Sequence, residues 1–185
     1  MTGAARVVGA YRRVFATNQT PLGRDVALLG VRLALGWIFV WHGGRTLFGA
    51  FGGPGVHQAS IFYGTIAHLH PATFFTVLGG SIEFLGGIAV ALGVLGRLGA
   101  AGLVVDMLGA MVTVTFANGM ASSAPGGGYE LNLALAALAF PVAVLGTGRL
   151  SLDELVLDGR LGRPGPTAKA GDSRDDDRRH PLQAS

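Results

Sequence analysis

Residues 72–95 read ATFFTVLGGSIEFLGGIAVALGVL, a run in which Glu83 is the only charged side chain. A helix needs about 20 mostly apolar residues to cross a bilayer's hydrocarbon core of roughly 30 Å, and this run is long enough. Three more segments of the same kind surround it, at Val26–Leu47, Leu98–Phe116 and Glu130–Thr147. Four such runs, with so little polar sequence between them, leave no hydrophilic surface for a soluble fold. Composition agrees: 14% of residues are charged, against about 25% in an ordinary soluble domain. The expectation is an all-α integral membrane four-helix bundle. It divides into an N-terminal segment at 1–25, a four-span unit at 26–152 and a tail at 153–185.

The connecting segments set the orientation. With the N-terminus inside (N-in), one side of the membrane receives Arg6, Arg12, Arg13, Arg24, Arg97, Arg149 and the basic residues of the tail. The other side keeps only Arg45. Basic residues stay on the cytoplasmic side, so both termini are expected there (N-in, C-in). Trp41 and Tyr129 fall near the opposite interface, where aromatic anchors collect. Arg12, Arg13 and Arg24 interrupt the start of the chain, so no cleaved signal peptide is expected. The tail beyond Asp158, with its Gly, Pro and mixed charge, reads as disordered. The net charge of +3 follows from topology and gives no reason to expect a nucleic-acid partner.

With no cysteine in the chain, thiolate and iron–sulfur chemistry must come from another protein. The first outer loop, 48–71, carries a turn at Phe51-Gly52-Gly53-Pro54-Gly55 and a candidate interfacial helix at 56–69. Its His57, His68 and His70 read as solvated, and no metal is expected. Haem is not expected either, since only His42 lies near a span.

Ionisable residues inside a span are expensive and therefore functional candidates. They are Arg32, Glu83 and Asp106. Counted along the spans at 1.5 Å per residue, they lie about 10, 18 and 12 Å from the inner edge. An Arg–Asp–Glu cluster in the inner half is the expectation, either serving only to fix helix order and register or leaving one acid over as a proton carrier. Gly79, Gly86 and Gly87 share a face with Glu83, and Gly99, Gly102 and Gly109 share one with Asp106. Small residues let membrane helices approach closely, which turns both acids inward. Near the outer ends, Trp41, His42, Arg45, Tyr129 and Glu130 form a candidate quinone headgroup site, with an ion pair expected among His42, Arg45 and Glu130. Asn132 can hydrogen-bond across helices, and Pro141 can kink the last span.

The stretches Val31-Arg32-Leu33-Ala34-Leu35-Gly36-Trp37, Trp41-His42-Gly43-Gly44, Glu83-Phe84-Leu85-Gly86-Gly87, Asp106-Met107, Asn118-Gly119 and Gly127-Gly128-Tyr129-Glu130-Leu131-Asn132 together resemble the DoxX family of bacterial membrane proteins. The ordered match runs over about Val26–Leu152. The resemblance implies a multi-pass protein of the bacterial plasma membrane, linked to thiosulfate:quinone oxidoreduction. It also implies membrane complexes that gather oxidative-stress enzymes, among them superoxide dismutase and a sulfurtransferase. It supplies no settled catalytic residues, although Arg32, His42, Glu83, Asp106, Tyr129 and Glu130 occupy the family's recurrent polar positions. Two departures stand out: Thr46 where members often have Lys, and Thr115 near a frequent His. The expected function is a membrane subunit or scaffold of a redox complex, with a quinone as electron acceptor and soluble redox or sulfur-transfer enzymes as partners. Whether this chain turns anything over, and its oligomeric state, are left open. The alternative is a small proton-coupled transporter or channel.

Overall fold

The computed structural model describes residues 21–155, all helical or connecting, with no strand among them. The N-terminal segment before Pro21 and the tail after Leu155 lie outside the described residues, as do the expectations of topology and disorder that rest on them.

Among the described residues the main α-helices are, in order, α1 (Pro21–Phe48), α2 (Gly55–Thr65), α3 (Ala72–Leu92), α4 (Gly96–Ala110) and α5 (Glu130–Leu145). Pro21 is the first described residue of helix α1. It is helical from Pro21, five residues before the expected span. Helix α3 stops at Leu92, short of the expected Leu95. Gly93 takes φ +70° there and returns its N–H to the Ala89 carbonyl, a left-handed stop that glycine adopts without strain. Helix α4 changes pitch near its end, passing into a π turn at Met111–Thr115 and a 3-10 turn at Phe116–Asn118. Pro141 lies within α5 without ending it.

Helix α1 packs along α3, α3 along α4 and α4 along α5, while α5 also touches α1. The core at their centre comprises Leu35, Phe39, Val90, Ala100, Leu103, Met107, Leu135, Ala136, Ala139 and Val142. Glycines set the α1–α3 spacing. A Cβ at Gly43 would lie 2.5 Å from the Phe84 nitrogen and 2.7 Å from the Gly80 carbonyl oxygen. The outward faces are apolar as well: Trp37 is 75% exposed, Val112 72% and Leu98 71%. Greasy surfaces of this extent on successive helices are suited to lipid and not to water.

Three helical stretches are long and apolar enough to cross a membrane: Leu22–Phe48, Ala72–Leu92 and Gly96–Asn118. The fourth, Glu130–Leu145, has 16 residues and spans about 24 Å at 1.5 Å per residue, less than a full hydrocarbon thickness. One end of the molecule, the base, gathers the start of α1, the α3–α4 turn and the segment after α5. The opposite loop end gathers α2 and the connection between α4 and α5.

Candidate functional site

At the base, Arg32 is 1% exposed and makes four hydrogen bonds, none of them to an acid. Its Nε donates to the Val90 carbonyl at 2.8 Å and its Nη2 to Ala91 at 2.9 Å. Its Nη1 donates to Thr147 at 2.8 Å and Leu150 at 2.7 Å. The last carbonyls of α3 have no helical partners and carry the negative end of the helix dipole, so a planar guanidinium satisfies both needs. The Asp25 carboxylate accepts from the Arg149 N–H at 3.2 Å nearby, tying the same segment down a second time.

The expected Arg32–Asp106–Glu83 cluster is therefore not formed. Arg32 lies level with the final turn of α3, where its guanidinium reaches the Val90 and Ala91 carbonyls. Glu83 is seven residues further along that helix, about 10 Å away at helical rise. Arg32 acts as a structural clasp at the base.

The two acids meet instead in a cavity of about 460 Å³ towards the loop end. Glu83 comes from α3, Asp106 from α4 and Tyr63 from α2, while Thr113, Thr115 and Asn132 complete the polar lining. Phe62, Phe75, Ile82 and Val105 are among the apolar walls. Glu83 sits about 14 Å from the base end of α3 and Asp106 about 15 Å from that of α4, so the carboxyls face each other at one level. Gly79 makes room between them and the loop helix. A Cβ there would lie 2.9 Å from the Tyr63 hydroxyl and 3.4 Å from Asp106 Oδ1.

Among the described residues, no hydrogen bond or cation engages either carboxyl group. Burial, followed by the fields of Glu83 and Asp106, pushes the Tyr63 phenol above its ordinary value. Tyr63 is thus held as a hydrogen-bond donor across the physiological range. Thr115 Oγ1 donates to Asn132 Oδ1 at 3.2 Å, and Asn132 Nδ2 rests 3.7 Å from the Met107 sulfur. The π turn brings Thr113, Val114 and Thr115 to the cavity wall in succession. Such turns inside α-helices often accompany functional sites.

The proposed outer headgroup residues separate into two groups. Arg45 lies 4.5 Å from the Trp41 ring centre and donates to the Phe51 carbonyl at 2.9 Å; Trp41 meets His42 edge-on at 5.0 Å. Tyr129 instead stacks on Phe116 at 5.6 Å, and Glu130 accepts from the Ser122 backbone at 2.8 Å and from its hydroxyl. No ion pair joins Arg45 to Glu130 among the described residues, because each is taken up by its own loop.

Tyr63 was not legible as a site residue. It lies in the short loop helix, and only the fold places it over Gly79. Asn132 carried a signal, a lone amide in an apolar run, but its partners were not evident.

Apolar outward faces, a buried clasp and a cavity between helices that holds two carboxyl groups define a multi-pass membrane protein. The DoxX family model matches residues 27–116, and the chain belongs to that family. The match covers α1 to α4 and stops before α5. No curated protein and no solved structure matches the chain.

Proposed function

We propose that this protein is the membrane subunit of a redox complex that delivers electrons to a lipid-soluble quinone, in support of oxidative-stress defence. It sits in the bacterial plasma membrane with α5 as a fourth span and both termini in the cytoplasm, and the DoxX-like unit extends to residue 152. Two observations support the orientation: Arg24, Arg97 and Arg149 gather at the base, and among the described residues Arg45 is the only Arg or Lys at the loop end.

The observation that carries the functional reading is the cavity. Two unengaged carboxyl groups and a phenol that remains a donor converge on a space with aromatic and aliphatic walls. A quinone headgroup needs hydrogen-bonding groups at its oxygens and apolar contact at its ring. Tyr63 donates to one oxygen, and Glu83 and Asp106 relay the two protons taken up as quinone becomes quinol. The two electrons come from a thiol or thiosulfate donor held by a soluble partner, because this chain has no cysteine. Placing the headgroup here replaces the outer site expected from Trp41, His42, Arg45, Tyr129 and Glu130, whose side chains are engaged in two separate groups.

The test is donor-dependent quinone reduction in native membranes from cells expressing wild type, Glu83→Gln or Asp106→Asn, with co-purifying proteins identified by mass spectrometry. The expected result is recovery of a redox or sulfur-transfer enzyme with all three, and loss of at least tenfold in rate with either variant, as for removal of a proton-transfer group. Unchanged rates would exclude the cavity. Proton flux in proteoliposomes of the protein alone, abolished by Glu83→Gln, would favour a transporter.

A further inference from the structure

Between α3 and α4, on the lipid-facing side, runs a second hollow of about 410 Å³. Ser81 supplies its only polar side chain; the rest is aliphatic, with Gly86, Gly99 and Gly102 along its floor. Leu78 and Ile82 line both this groove and the acidic cavity, so the two lie side by side across these side chains. Towards the base the floor is closed: a Cβ at Gly99 would lie 3.0 Å from Ala89 Cβ, and one at Gly86 would lie 3.2 Å from Leu103. At Gly102, beside the shared wall, a Cβ would meet only Ile82 Cγ2 at 3.4 Å. The groove thus has free space on the side next to the cavity, and Leu85 and Leu98 flank it at 62% and 71% exposure.

We propose that this groove seats the hydrophobic chain of the molecule whose head occupies the cavity, so that the ligand enters sideways from the bilayer along the α3–α4 seam. This rests on the cavity being a headgroup site. A polar head in the cavity and a chain in an adjoining apolar groove are the two halves of one amphiphile. The position of the groove directly beside the acidic cavity, with only Leu78 and Ile82 between them, favours that occupant over a second copy of this chain, which would have no reason to lie next to a polar space. An alkyl chain gains little hydrophobic energy on leaving lipid, so the groove acts through shape and packing.

The experiment uses the full-length protein in nanodiscs and two quinones with the same ring, one without a side chain and one with a long isoprenoid chain. Binding is followed by quenching of tryptophan fluorescence. Gly102→Leu fills the groove without reaching into the helix contact. Ser81→Phe fills it from α3 and serves if the first variant fails to fold by circular dichroism. The expected result is about tenfold weaker binding of the chain-bearing quinone, unchanged binding of the chainless one, and weakening of both by Glu83→Gln. Equal effects of the groove variants on the two quinones, or none, overturn the proposal while the headgroup reading stands. If wild type binds neither quinone, the headgroup reading fails and the proposal fails with it. A change of oligomeric state in Gly102→Leu, with both quinones binding as before, assigns the groove to a second copy and also overturns it.

Discussion

Arg32 and Glu83 are both ionisable residues in apolar helices, yet their surroundings give them opposite roles. The guanidinium of Arg32 is fully engaged by backbone carbonyls, which makes it structural. A lysine has one compact ammonium and cannot span four acceptors with a planar fork. Arg32→Lys should therefore leave some of these carbonyls unsatisfied, at about 1–3 kcal/mol for each buried one. A clear drop in the thermal midpoint in detergent, followed by circular dichroism, is the expected outcome, with Glu83→Gln close to wild type. Tyr63 offers a second test. The phenol component lost from an ultraviolet titration in Tyr63→Phe should titrate above free tyrosine, because burial and two neighbouring acids oppose its ionisation. A normal titration would place the hydroxyl in water. The presence of Arg32, Glu83 and Asp106 as special residues was legible from sequence, since charge in an apolar run stands out. Their partners were not: counting depth along each span does not say how neighbouring helices are offset, nor that the segment after α5 folds back to offer Arg32 the Thr147 and Leu150 carbonyls.

At the level of elements, the glycines divide into those that set helix spacing and those that do not. A side chain at Gly43 would press on the backbone of α3 at Gly80 and Phe84, atoms that cannot swing aside. Gly43→Val should cost roughly 1–3 kcal/mol by overpacking. Nothing lies within 4 Å of a Cβ at Gly30, so Gly30→Ala should be neutral or gain up to about 1 kcal/mol from helix propensity. Comparing the unfolding midpoints of the two variants checks both. Hydrophobic run lengths were enough to locate α1, α3, α4 and α5, because membrane helices declare themselves by composition. The loop helix was also expected, from the residues after Pro54. The π turn at Met111–Thr115 had no signal in MVTVT, whose β-branched residues report crowding and say nothing about pitch. For the same reason the cavity wall that this turn forms was invisible.

For the whole molecule, orientation is open to direct measurement, since a chain without cysteine needs no prior mutagenesis before single-site labelling. Ser123→Cys at the loop end should react with a membrane-impermeant maleimide in intact spheroplasts. Val94→Cys in the base turn should react only after the membrane is opened; the reverse pattern would overturn the N-in assignment. The clasp at the base also bears on biosynthesis. Two of the carbonyls that receive Arg32 belong to Thr147 and Leu150, 115 and 118 residues further along the chain. The first helix therefore enters the bilayer with a cation whose final partners have yet to leave the ribosome. Maturation closes from the last segment back to the first, and a chain truncated after Leu145 would present quality-control proteases with an unfinished protein, however well its earlier helices had inserted.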